Sequence, residues 1–183
     1  MALTESSALV LGSPASPFTL PDTRTGNTVT LNDYIGQPIL LAFICNHCPY
    51  VVHILDAFAR AANTMATQGI ATISISSNDA AQYPADSPDK MAELAATRGF
   101  QFPYCYDESQ DVARRYGAVC TPDIFLFDAG HTLYYHGQFD ASRPGSGTAD
   151  GADLTQAVAQ LLAHRPAPEN THPSVGCSIK WKR

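Results

Sequence analysis

Five cysteines carry most of the chemistry that this chain's residue types allow: Cys45, Cys48, Cys105, Cys120 and Cys177. Their number is odd and only Cys45 and Cys48 are close together, so a small secreted disulfide scaffold is excluded. A close pair in a larger chain points to redox chemistry or metal binding, with two inert core thiols as the plain competitor. The pair stands in Cys45-Asn46-His47-Cys48-Pro49, between an apolar run and a helical pattern. A thiol there lies near unpaired backbone N–H groups and the positive end of a helix, and both favour thiolate. An ordinary thiol is only about 3% ionised at neutral pH, and a fall of roughly 1–3 units in pKa makes thiolate a large fraction. Thiolate is the form that attacks disulfides and peroxides.

Helix register chooses between the two sulfurs. With Cys45 as the cap, Pro49 falls at the fourth helical position and its missing N–H deletes the first intrahelical bond. With Cys48 as the cap, Pro49 takes the first position, where no bond is lost. Cys48 is therefore the expected nucleophile and Cys45 its expected partner. His47 stands between them, either supporting a thiolate or facing solvent without a role. The second element is Cys120-Thr121-Pro122. A proline that opens a strand after a turn is a candidate for a cis peptide, although on periodicity alone an ordinary strand-opening proline is the plainer reading.

The elements that hold these residues can be outlined from the pattern. Residues 1–38 are turn-rich, with a hairpin turn at Thr25-Gly26-Asn27 and a short strand through Val29 and Leu31. Ile39 to Ile44 is a run of six apolar residues, which suits a strand buried on both faces. Val51, Leu55, Phe58, Ala62 and Met65 then form a helical stripe, closed by Gly69. Ile70 to Ser76 reads as a second buried strand. Ser87-Pro88 opens a helix that Gly99 closes. Residues 100–106 read as extended and 109–116 as a short helix. Residues 123–128 and 132–136 read as a hairpin, 141–152 as a flexible loop, and Leu154, Val158 and Leu161 mark a last helix. The tail ends in an unexpectedly apolar Val175 to Trp181. This order predicts an α/β fold, a mixed central sheet flanked by helices, as one domain over 1–183 with 165–183 as a C-terminal tail.

Composition agrees. With 45% hydrophobic and 15% charged residues, the chain can bury a core and is not a disordered segment. Its net charge of −6 argues against nucleic acid as a partner. No stretch of eighteen apolar residues exists to span a membrane. Residues 1–17 do not read as a secretory signal, so a cytoplasmic chain is expected.

Several segments together resemble the thioredoxin-like superfamily, and within it the peroxiredoxin-like (alkyl hydroperoxide reductase/thiol-specific antioxidant, or redoxin) branch. They are Phe43 to Val51, Ser77-Asn78-Asp79 with Tyr83-Pro84 and Asp86-Ser87-Pro88, Tyr116 to Asp128, Asp140 to Gly145, and Pro173 to Trp181. The resemblance implies a thioredoxin-like fold with an N-terminal extension, and a cis bond between Thr121 and Pro122 facing the active thiol. It also implies attack by Cys48, five residues after Phe43; Val51 then occupies the place of a thioredoxin's second cysteine. The pattern departs from true peroxiredoxins, whose site reads Pro-x-x-x-Thr-x-x-Cys. Ended at Cys48 it meets Leu41 and Cys45; ended at Cys45 it meets Pro38 and Ala42. Thr121-Pro122 stands where the peroxiredoxin arginine would fall. Without the threonine and arginine donors, peroxide is poorly oriented and its developing charge unsupported.

Within that fold Cys120 lies beside Pro122 as a disulfide partner or a small buried residue. Cys177 is a resolving thiol if the tail covers the site, and a bystander otherwise. Cys105 is expected in the core, and Arg143 either solvated or binding an anion. The expected function is a thiol–disulfide oxidoreductase, with no cofactor and no resident metal. Its catalytic set is Cys48, Cys45, Cys120, Thr121, Pro122 and Cys177. Expected partners are protein or low-molecular-weight disulfides, a thiol reductant, and in an alternative reading peroxide. A third reading is a Sco-like copper carrier using Cys45, Cys48 and His131 or His136.

Overall fold

Chemistry at residues 45–48 needs a rigid frame, and the frame begins with Ile39 to Phe43. The computed structural model describes residues 3–182. Strand β1 (Leu3–Glu5) is followed by the hairpin β2 (Thr19–Pro21) and β3 (Thr28–Thr30), then by β4 (Ile39–Phe43) and helix α1 (Pro49–Thr67). Next come β5 (Ala71–Ser76), α2 (Pro88–Thr97), β6 (Tyr104–Tyr106) and α3 (Asp111–Tyr116). The chain ends with β7 (Cys120–Thr121), β8 (Asp123–Phe127), β9 (Leu133–Gly137), α4 (Ala152–Leu162) and β10 (Val175–Ser178). A five-stranded sheet runs β6-β5-β4-β8-β9, with β4 parallel to β5 and antiparallel to β8. This is a mixed sheet flanked by helices, as expected.

β4 is buried on both faces because its side chains alternate between two cores. Leu40, Ala42 and Ile44 face α1, α2 and α4; Phe58 sits there between Phe102 and Phe139, with ring centroids 5.9 and 6.0 Å away. Ile39, Leu41 and Phe43 face α3 and the N-terminal hairpin, where Tyr116 meets Phe43 and Phe125. The stripe read from Val51 to Met65 faces the first core along its whole length. Among the described residues no helix is long and apolar enough to cross a membrane.

Two local readings change. Leu31 leaves the strand and starts a 3-10 turn, because Thr30 and Asp33 form a reciprocal capping box. Residues 141–152 are tied down rather than loose. The buried Asp140 carboxylate accepts bonds from the Ser142 amide (2.8 Å) and hydroxyl (2.5 Å), the Asp150 amide (2.8 Å) and the Gly151 amide (2.8 Å). Burial pushes its pKa up, but these bonds outweigh burial and leave it below the usual carboxylate value. A depressed folded pKa gives stability that is present above the unfolded value and is lost as pH falls through the folded one. Asp140→Asn turns a donor toward donors and is expected to cost about 1–3 kcal/mol. Urea unfolding at pH 7 measures the deficit, which should narrow as the pH falls below the usual carboxylate range.

The apolar tail also acquires a structure that the pattern left open. β10 lies antiparallel between β1 and β7 in a separate three-stranded sheet. Trp181 packs beneath the Arg114 guanidinium, 4.9 Å from the ring centroid.

Candidate active site

Cys48 caps α1. Its backbone is extended (φ −70°, ψ 123°), Pro49 takes the first helical position, and the first helical bond runs from the Val52 N–H to the Cys48 carbonyl at 2.9 Å. This is the register that Pro49 demands. Across from it, the Thr121–Pro122 peptide is cis. The Cys48 thiol faces the Thr121 carbonyl at 3.2 Å, and Cys45 Sγ lies 3.3 Å from Thr121 Oγ1. On the other side of Thr121 lies β10, with Cys177 opposite Thr121 and Ser178 opposite Cys120. Cys45, Cys48, Thr121, Pro122 and Cys177 thus meet at one point. All five cysteines are free thiols.

The environment divides the protons unequally. Cys48 is lowered to about 5, first because the Cys45 thiol hydrogen-bonds to its sulfur. Burial opposes this, while the Cys177 thiol and backbone and the Val51 amide add to it. The Thr121 carbonyl favours the protonated form and pulls the other way. Cys45 is raised well above the ordinary thiol value, because it donates to Cys48, is buried, and has Asp86 nearby. Cys177 is pushed up to about 12, by burial first and then by its bond to Cys48. The negative charge therefore resides on Cys48. The helix tip is a lesser contributor than the sequence suggested, since the Cys48 side chain forms no full capping bond.

Other residues take other places. Cys120 is buried beside Pro122 with its thiol turned to the Pro122 carbonyl at 3.7 Å, and burial raises its pKa strongly. Cys105 lies in the second core, and burial pushes it up to about 12. His47 lies against Asp86, with Nδ1 2.7 Å from Oδ2, and stacks on Tyr83 at 5.5 Å. Arg143 donates to Gln138 Oε1 (2.6 Å) and to the carbonyls of Asp140 and Ser142, which braces the loop. His131 bonds to the Tyr34 carbonyl and His136 to Asp123, so neither joins Cys45 and Cys48 as the copper reading required.

Asp86 went unassigned in the sequence. Its fully buried carboxylate accepts from the Asn46 amide and from Asn78 Nδ2, both at 2.8 Å. Only its place just before Ser87-Pro88 hinted at it, and nothing local told of partners 8 and 40 residues away. With Cys45 and His47 it brings three donor atoms within 4.8 Å of one another, the only such metal-type grouping among the described residues. A divalent ion such as zinc accepts that donor set. The Asn46 amide and Asn78 Nδ2 already satisfy the carboxylate without one.

A family model described as the AhpC/TSA family matches residues 11–136. The chain belongs to that family. An uncharacterized conserved protein from Geobacillus kaustophilus is 45% identical, with TM-score 0.96 over 100% of this chain and 97% of its own. A hypothetical protein from Sinorhizobium meliloti 1021 is 44% identical, with TM-score 0.94 over 98% of each chain. Peroxidoxin BcpB from Mycobacterium tuberculosis, at 23% identity and TM-score 0.63 over 85% of this chain and 97% of its own, shares the fold. No curated protein matches this chain. This AhpC/TSA chain is thus a thioredoxin-fold redoxin, with its cysteine pair in the turn between β4 and α1.

Proposed function

We propose that this redoxin is a thiol–disulfide oxidoreductase in which Cys48 attacks and Cys45 resolves. The observation that carries the reading is the placement of the Cys48 and Cys45 sulfurs together at the mouth of α1 and against the cis Thr121-Pro122 peptide, an arrangement in which the Cys45 thiol favours thiolate at Cys48. In the first step the Cys48 thiolate attacks one sulfur of a substrate disulfide. The substrate S–S bond breaks, and the departing thiolate takes a proton from water. Cys45 then loses its proton to water and attacks Cys48 Sγ, which releases the second substrate thiol and leaves a Cys45–Cys48 disulfide. Two electrons pass to the substrate. An external dithiol restores the pair, in keeping with a reducing, cytoplasmic setting. Substrates are protein or low-molecular-weight disulfides.

A second reading is peroxide reduction at the same sulfur, favoured by the family. Against it, the groups that set the Cys48 pKa include no cation to support the departing oxygen.

Reduced protein mixed with excess 5,5′-dithiobis(2-nitrobenzoate) distinguishes the assignments. Two aromatic thiolates should be released per chain in the fast phase, and peptide mapping should find Cys45 joined to Cys48. A single release with a stable adduct on Cys48, or a bond from Cys48 to Cys120 or Cys177, would reject Cys45 as the resolver. Reaction elsewhere with Cys48 untouched would reject the whole reading.

A further inference from the structure

Cys48 is the sulfur best placed to attack, and its accessible surface is nil. What covers it is β10, a strand of four residues. We infer that β10 is a substrate strand carried in cis: it occupies the edge on which an external cysteine-bearing segment docks, and that segment displaces it. The inference rests on the assignment of Cys48 as nucleophile.

Three features of β10 support it. Its pairing on β7 is antiparallel, and the register places a cysteine, Cys177, opposite Thr121. That cysteine presents both its thiol and its backbone to Cys48. A strand that lies on a sheet edge and offers sulfur to a thiolate has the arrangement expected of a bound disulfide substrate. The second feature is Gly176. A Cβ placed on it would stand 1.9 Å from the Thr121 oxygen and 3.1 Å from Pro122 Cδ. The obstacle is backbone, which cannot turn aside. Any strand in this register must therefore carry glycine immediately before its cysteine, which defines the partner: an extended segment containing Gly-Cys.

The third feature is how the cover is held. Among the described residues β7 has no strand neighbour besides β10, so removal of β10 leaves a free edge. Among the described residues β1 has none besides β10 either, so β1 depends on β10 for its place and can leave with it. Beyond β10, the tail is fastened by Ile179, which is buried in the second core, and by polar contacts: the Lys180 amide to Asn78 Oδ1 (2.8 Å), Gln110 Nε2 to the Lys180 carbonyl (2.8 Å), and Trp181 under Arg114, so displacement of β10 must hinge at or before Ile179. An incoming strand reproduces the backbone bonds of β10 on β7, so the exchange costs little in hydrogen bonding.

The test uses reduced full-length protein and the rate at which iodoacetamide modifies Cys48, read by mass spectrometry. Gly176→Val should force the strand off its register and raise the rate at neutral pH by at least about tenfold. Arg114→Ala, which loosens the tail from its end without touching the site, should raise it by a smaller factor. A peptide of residues 173–182 with serine at position 177 should protect Cys48 in Gly176→Val. The same peptide with valine at position 176 should not. Far-UV circular dichroism confirms that both variants are folded. If neither variant speeds modification, β10 is no barrier and the inference falls. If both peptides protect equally, the glycine rule falls. The pH dependence of the same rates separates this from the nucleophile assignment. A Cys48 that titrates as an ordinary thiol in every variant defeats that assignment, whatever the tail does. A low-pKa Cys48 that is equally open in all variants defeats only the tail.

Discussion

Cys48→Ser should reduce disulfide turnover by at least about 10³-fold, because the atom that attacks and forms the covalent intermediate is gone. The serine oxygen cannot take the place of sulfur in a mixed disulfide, and its hydroxyl stays protonated at neutral pH. The fold should survive. The replacement is nearly isosteric, and the new hydroxyl keeps a partner in the Thr121 carbonyl that faced the thiol at 3.2 Å. Unfolding in urea should therefore show a midpoint close to that of the parent. Cys45→Ser differs in kind. It leaves the first step possible and removes the second, so a mixed disulfide between Cys48 and the substrate accumulates and is visible as added mass. Cys120→Ser should leave turnover near the parent value, because that thiol faces the Pro122 carbonyl and its burial disfavours thiolate. Full turnover in Cys48→Ser would mean that another of the five sulfurs attacks.

Local rules made the frame readable. The stripe from Val51 to Met65 and the position of Pro49 specify α1 and its cap with no tertiary information, and the structure has that cap. The six-residue apolar run specifies a strand covered on both sides. The cis peptide at Thr121-Pro122 was open from pattern alone and was implied only by the resemblance. What escaped was set by distant partners. β10 is four residues in a tail, and it becomes a strand because β1 and β7, more than fifty residues away on one side and more than a hundred and sixty on the other, lie alongside it. Asp86 looks like any loop carboxylate until Asn46 and Asn78 close around it. The helix tip, through the Val51 amide, supplies only a minor part of the pull toward thiolate. The bond that matters more comes from Cys45, and two sulfurs three residues apart do not reveal in sequence which one donates.

That bond gives the second large effect. Cys45→Ala removes the donor that leads in lowering Cys48, while Cys177 and the Val51 amide remain. The Cys48 pKa should then rise from about 5 by roughly two units, toward its ordinary thiol value. At pH 6 the thiolate fraction falls from about 90% to about 10%, so modification of Cys48 by a small alkylating agent slows about tenfold; above pH 9 the rates should converge. The expected curve has the same plateau and a displaced midpoint. A midpoint that does not move would show that Cys45 has no hold on the proton of its neighbour. Stability carries the same signature with its sign fixed. A thiol whose folded pKa is depressed stabilises the reduced protein above the unfolded value near 9, and that contribution is lost as pH falls through about 5. Cys177, raised to about 12, acts oppositely: its contribution is present below 9 and is lost as pH climbs through 12. Reduced parent protein should thus gain stability between pH 5 and 9 and lose it in stronger alkali. Cys45→Ala should flatten the rising limb, because the depressed group no longer titrates so far from its unfolded value.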